Sequence, residues 1–202
     1  ILQALTTEDI SNATFPFGAA REMDVEHARA WVIRRSFFGE LGYELMIPTE
    51  FTAHVYEALI REGTPHGLRH VGMFAMNACR LEKGFRHFGH DIAEEDTPYE
   101  TGLGFAVDLS KPDFLGKATL AEQKATYKTA VPDRLVAITV PRITEQDGPY
   151  LSHDETIWKN GDMVGYVTSG GWGHRLDQMI GLATLHQDSG VTKAWIDEGG
   201  FS

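Results

Sequence analysis

The chain is poor in cysteine and in basic residues, and it has no long apolar run. Cys79 is the only cysteine in 202 residues, so an intrachain disulfide and a cysteine-based zinc site are both excluded. Its cysteine usage fits a reducing, intracellular setting, cytoplasmic or in the mitochondrial matrix. Lys and Arg number 18 against 29 Asp and Glu, a formal charge of −11. A chain of that sign is repelled by polyanions, so nucleic acid and anionic membrane surfaces are not the expected partners. No apolar run approaches the roughly 20 residues that span a bilayer, and no leader pattern is visible. Also missing are a G-x-G-x-x-G following a strand, a phosphate-binding P-loop, a G-x-S-x-G elbow and an H-E-x-x-H pair. No Ser–His–Asp set can be drawn from spacing, so nothing resembles a self-sufficient catalytic centre.

What is present has two textures, within an apolar fraction of 42% that suffices for one moderate domain or two small ones. Residues 1–130 mix helical and strand patterns. "TTEDISNA" (6–13) offers Thr6 or Thr7 as an N-cap and predicts a short helix. "HARAWVIRRSF" (27–37) and "YELMIP" (43–48) alternate as strands, the second with Tyr43, Leu45 and Ile47 on one side and Glu44 on the other. Gly39 and Gly42 supply the turn between them. Helices are predicted near 50–62 and 70–83, the latter with an apolar stripe of Val71, Phe74, Ala75, Ala78 and Leu81. Residues 86–105 are rich in turn formers, "FAVDL" (105–109) predicts a strand, and 116–127 a polar helix. From residue 131 the chain is all β: strands at 134–140, 155–169, 178–185 and 191–196 are separated by "DGP", "NGD", "SGGWG" and "DSG". Asn160-Gly161 is a strong hairpin pattern. A division near 128–133 therefore separates residues 1–130 from 131–202. The chain opens in apolar text without a Met and stops just after a strand-like run, which reads as a piece of a longer protein.

Three stretches carry candidate chemistry. In "SFFGELGYEL" (36–45), Glu44 is either a solvated acid on the outer strand face or a carboxylate accepting two N–H donors from a flat heterocycle, with Phe37 and Phe38 as an apolar wall. In "RLEKGFRHFGHD" (80–91), Arg80, Lys83 and His87 fall at i, i+3 and i+7. A helix continuing past Gly84 would put positive charge along one side for an anionic group, whereas the alternative is an ordinary helix end with an Arg80–Glu82 or Lys83–Asp91 pair. His87 and His90 have metal-pair spacing but no third ligand nearby, and no metal is expected. In "TSGGWGHRL" (168–176), the glycines before Trp172 permit a close backbone approach, either to a ligand or within an ordinary β-turn.

Taken in order, "FFGELGYEL", "GMFAMNACRLEKGFRHFGHDI", "DTPYETGLGFAVDL", "FLGKATL" and "ETIWKNGDMVGYVTSGGWGHRLDQMIGLATL" resemble the glycine-cleavage T-protein (aminomethyltransferase) family. Within it they are most similar to the folate-binding regions of dimethylglycine and sarcosine dehydrogenases. The resemblance covers nearly the whole chain. It implies an α+β fold, a ferredoxin-like region followed by a small C-terminal β-barrel, that binds tetrahydrofolate. It implies that Glu44 pairs with the pterin N–H groups, that Glu40 is a turn acid, and that Phe37, Phe38, Arg80 and Trp172 belong to the folate contacts. Met76 stands where T-proteins proper carry an Arg. The family's catalytic Asp falls outside these residues, as does the FAD domain of the dehydrogenase relatives, so no catalytic residue is assigned here. The implied reaction passes a one-carbon unit from a small methylated amine or aminomethyl donor to tetrahydrofolate, forming 5,10-methylenetetrahydrofolate. A non-catalytic folate-binding or regulatory module, and a folate-dependent demethylase of a sulfonium substrate, are the alternatives. The isolated chain is expected to be inactive and to bind folate weakly, with apolar surface that a homodimer would cover.

Overall fold

A computed structural model describes residues 1–140 and 150–202; the "DGP" separator lies outside them. The chain forms two compact units, Ile1–Met76 and Asn77–Ser202.

The first unit is built on a three-stranded antiparallel sheet in the order β1-β2-β3: β1 is Ala20–Val25, β2 is Ala28–Ile33 and β3 is Glu44–Met46. Helix α1, Thr52–Gly63, contributes Val55 and Ala58 to the same core as Phe15, Met23, Val25, Ala28, Ala30 and Val32. Tyr43, Leu45 and Ile47 pack on this core, so alternation does orient β3 and turns Glu44 away from the core. The pattern missed β1 because only Met23 and Val25 of its six residues are buried, while Arg21, Glu22 and Asp24 mask the apolar period.

The helix predicted at 6–13 does not form. The Asp9 carboxylate accepts the Ser11 backbone N–H at 2.9 Å and the Asp9 carbonyl accepts the Thr14 hydroxyl at 2.8 Å. Short polar side chains here bind nearby backbone, and turns result in place of a helix. That backbone bond, chiefly, holds the Asp9 carboxyl below its usual range.

The second unit is a four-stranded antiparallel sheet in the order β4-β7-β6-β5, comprising β4 (Ala130–Val140), β5 (Thr156–Lys159), β6 (Asp162–Gly173) and β7 (Gln178–Thr192). Asn160 and Gly161 join β5 to β6 with φ of 56° and 92°, both left-handed as a two-residue hairpin of this type requires. The sheet curls enough that both edge strands, β4 through Val136–Val140 and β5 through Thr156 and Ile157, line one apolar cavity of about 420 Å³. Lys159 is buried, donates to the Trp195 carbonyl at 2.8 Å, and sits 4.7 and 4.6 Å from the Trp195 and Phe201 rings.

Helix α2 spans Met73–Glu82, and α3 (Lys117–Thr126) precedes β4. The predicted stripe of α2 is not a buried face: Val71 and Phe74 are exposed, and only Arg80 and Leu81 are buried. The run 105–109 is not a strand either. Leu103 N–H bonds back to the Pro98 carbonyl at 2.7 Å, and a 3-10 turn occupies Gly104–Ala106. The strand predicted at 191–196 ends at Thr192, whose side chain accepts the Trp195 N–H and caps a short helix, α4, Lys193–Asp197. Among the described residues no helix is long and apolar enough to cross a membrane.

Candidate functional site

In the first unit the predicted pterin acid sits at the first position of β3, paired across the sheet with Ile33 of β2. The loop that precedes it folds back on itself. Gly39 has a φ of 76°, and a side chain at Gly42 would lie 2.8 Å from the Arg35 carbonyl oxygen. Gly39 thus supplies a left-handed turn, whereas Gly42 is needed for close approach. The result places Arg35 beside Glu44, with Nε 2.9 Å from Oε1 and both side chains substantially exposed. Phe37 and Phe38, on the same loop, are half-buried, and Glu40 is exposed. Phe38 N–H donates to the Ser36 hydroxyl at 3.3 Å.

Behind β3, Tyr43 is held from three directions. Its hydroxyl donates to the Ile10 carbonyl at 3.2 Å. Its ring stacks on Phe15 with centroids 6.3 Å apart, and the Arg34 guanidinium lies 5.3 Å from the ring centre. Glu44 is therefore carried on a braced strand with its carboxylate in water, where an exposed ion pair contributes only about 0–1 kcal/mol. Exchanging Arg35 for another donor pair is cheap, and the two carboxylate oxygens can face two N–H groups.

In the second unit Arg80 is almost fully buried and paired with an equally buried Asp91. Its Nε donates to Asn77 Oδ1 at 2.8 Å, Nη1 to the Phe85 carbonyl at 2.9 Å and to Asp91, and Nη2 to Ser169 Oγ at 2.7 Å. Asp91 also accepts from the Thr168 hydroxyl at 2.7 Å and the His87 backbone N–H at 2.8 Å. Burial by itself raises the Asp91 carboxyl, but hydrogen bonds from Thr168, Ser169 and His87, with the Arg80 charge, outweigh it and hold the group below the usual carboxylate range. Four of the five guanidinium donors are thus spent inside the unit, which gives Arg80 a structural role.

The extended cationic side expected at Arg80, Lys83 and His87 does not exist. The helix ends at Glu82, Gly84 turns left-handed at φ 65°, and Arg80 faces inward. Arg80 takes Asp91 as its ion-pair partner in place of the Glu82 considered for this helix end. The His87 and His90 rings lie 4.5 Å apart. Burial first, then the neighbouring His90 and Arg80 charges, lower the His87 titration from its ordinary value.

Trp172 lies in β6 opposite Met179 and is buried. The glycines around it belong to a strand, not a turn, and the close approach they permit is made by the protein itself. A Cβ on Gly171 would meet Leu81 at 3.4 Å, and one on Gly173 would meet Glu82 Oε1 at 3.2 Å. Glu82 Oε1 in turn accepts the Arg175 N–H at 2.7 Å. Sequence patterns had no means of finding this set. Thr168 and Ser169 reach Asp91 and Arg80 across separations of 77 and 89 residues.

Comparison with known proteins places these features in a family. Residues 1–111 match the GCVT N-terminal domain and residues 120–200 the glycine cleavage T-protein C-terminal barrel domain. The chain is 38% identical to 4-methylaminobutanoate oxidase (formaldehyde-forming) of Paenarthrobacter nicotinovorans over 95% of its own length and 23% of that protein. It is 36% identical to human mitochondrial sarcosine dehydrogenase over 94% of its length and 20% of that protein. It thus spans about a fifth of the length of these relatives. In fold it is similar to the glycine cleavage system aminomethyltransferase T of Bartonella henselae, with a TM-score of 0.71 at 23% identity, over 88% of this chain and 48% of that one. The chain belongs to the glycine-cleavage T-protein family, with the α+β fold and C-terminal barrel domain of that family.

Proposed function

We propose that this chain is the tetrahydrofolate-binding part of a one-carbon transfer enzyme, in which Glu44 accepts hydrogen bonds from the pterin and Phe37 and Phe38 contribute apolar contact to it. The observation that carries this reading is the placement of Glu44 in a member of this family: a carboxylate at a strand end, presented by a braced strand, and paired among the described residues with an exposed arginine that a ligand can displace. A pterin offers adjacent N–H donors on a flat edge, the complement of such a group. The names of the relatives, an oxidase of 4-methylaminobutanoate and a dehydrogenase of sarcosine, support a methylated amine as the carbon donor, and in this reading the product is 5,10-methylenetetrahydrofolate. In this reading residues 1–130 recognise the pterin and 131–202 form the barrel, and Arg80, assigned by its contacts to structure, secures α2 to β6.

Glu44→Gln tests the assignment. The amide puts a donor where the pterin presents donors of its own. Losing one hydrogen bond to a charged group costs about 1.5–3 kcal/mol, so tetrahydrofolate affinity in the intact protein should fall at least about tenfold. Calorimetric titration of a folded variant with unchanged affinity removes Glu44 from the site.

A further inference from the structure

Three side chains at one end of the first sheet converge with no part in the proposed folate contacts. Glu26 and His27 make the connection between β1 and β2, whose last pair is Val25 with Ala28. His54 stands in the first turn of α1. One carboxylate oxygen and one ring nitrogen from each histidine lie within 4.8 Å of one another, and the two imidazoles stack 5.3 Å apart.

Two observations go beyond proximity. Glu26 adopts a φ of 53°, a left-handed position where hairpins favour Gly, Asn or Asp, so a longer carboxylate is kept here against backbone preference. The His54 Nε2 atom is buried without a hydrogen-bond partner, although buried polar atoms are normally paired. Arg61, about two turns along α1 from His54, donates to Glu26 Oε1 at 2.5 Å. That bond fixes the carboxylate and leaves its second oxygen to accept from, or ligate, something else.

We propose that Glu26, His27 and His54 form a binding site for a divalent transition-metal ion of the zinc class. Two imidazoles and one carboxylate are the donors that Zn²⁺, Co²⁺ and Ni²⁺ accept, with water completing the shell. Calcium and magnesium prefer all-oxygen sets and are not served by this one. An ion gives His54 the partner its buried nitrogen lacks, and Arg61 orients the ligating carboxylate from behind. Ligand atoms at about 2.0–2.1 Å from one zinc ion lie about 3.3 Å from each other, so the cluster must contract on binding. The exposed His27, on a hairpin tip, supplies that movement by leaving its stack with His54.

The test is a Co²⁺ titration of the 202-residue chain followed by visible absorption, with Zn²⁺ as competitor. One equivalent is expected to bind with a visible ligand-field band that Zn²⁺ abolishes. Glu26→Gly suits the left-handed φ, so this variant folds and simply lacks the carboxylate. It and His27→Ala should each weaken binding at least about tenfold, the loss seen even for partners of a metal ligand. The double variant His87→Ala/His90→Ala, which removes the other close imidazole pair, should bind as the parent does. No band at about 1 mM Co²⁺, a band that survives Glu26→Gly and His27→Ala, or a band lost with His87 and His90 would each overturn the site.

Discussion

Asp91→Ala is expected to destabilise the second unit by about 3–5 kcal/mol, the usual cost of leaving one member of a buried ion pair without its partner. The size follows from the surroundings. Arg80 and Asp91 are both inaccessible, so water cannot replace the lost carboxylate; the His87 N–H loses its acceptor as well, and the Thr168 hydroxyl is left with the Leu182 carbonyl at 3.2 Å. Urea unfolding followed by tryptophan fluorescence reports on it, since Trp158, Trp172 and Trp195 lie in this unit. A loss under about 1 kcal/mol would show that the pair is solvated in practice. The double variant Arg80→Met/Asp91→Leu should recover much of the loss, because apolar replacement of both partners removes the desolvation cost along with the attraction. The same carboxylate sets a pH dependence. Its folded pKa is depressed, so its contribution is present above the unfolded value of about 3.9 and is lost as pH falls through the folded value. The stability gap between the parent and Asp91→Asn, measured by urea unfolding from pH 7 downward, should therefore narrow only in acid.

Phe15→Ala is the corresponding test of the first unit, with an expected loss of about 3–5 kcal/mol. Phe15 is fully buried in the core beneath β1–β3. Its ring stacks on Tyr43 and lies 5.3 Å from the Arg21 guanidinium, and its carbonyl accepts from Arg34 at 3.0 Å. Truncation leaves a ring-sized cavity and also frees Tyr43, the residue before Glu44. Phe15→Leu, which keeps most of the volume, should cost under about 1.5 kcal/mol. Circular dichroism in urea separates the two variants, and equal losses would mean that ring packing is not what holds the loop at 11–17.

These two keystones were legible to different degrees. The hairpin at Asn160-Gly161 and the outward side of Glu44 follow from backbone chirality and a period of two, and both are local. Phe15 follows a stretch, 6–13, whose capping pattern predicts a helix, and the bonds of Asp9 with Ser11 and Thr14 that replace that helix with turns are equally local. The enclosure of Arg80 is not legible in the sequence, for the opposite reason. A basic residue near a helix C-terminus is usually solvated, and nothing within ten residues reveals that Asp91, Thr168 and Ser169 enclose it. The metal-ligand cluster was invisible for a similar reason, since His54 meets Glu26 and His27 only once α1 packs against the hairpin.

The strand order of the second sheet bears on the time course of folding. β5, β6 and β7 follow one another in sequence and pair as neighbours, but β4 pairs with β7, joining Ala130 to Thr192. The meander can form by short-range closure, whereas β4 must close a loop containing β5 and β6, from Val140 to Met179, before any of its pairing is rewarded. The folding barrier should thus fall early for Val167 and late for Leu135. Core truncations at these positions should give a high φ-value for the first and a low one for the second, and the reverse order would place β4 in the nucleus.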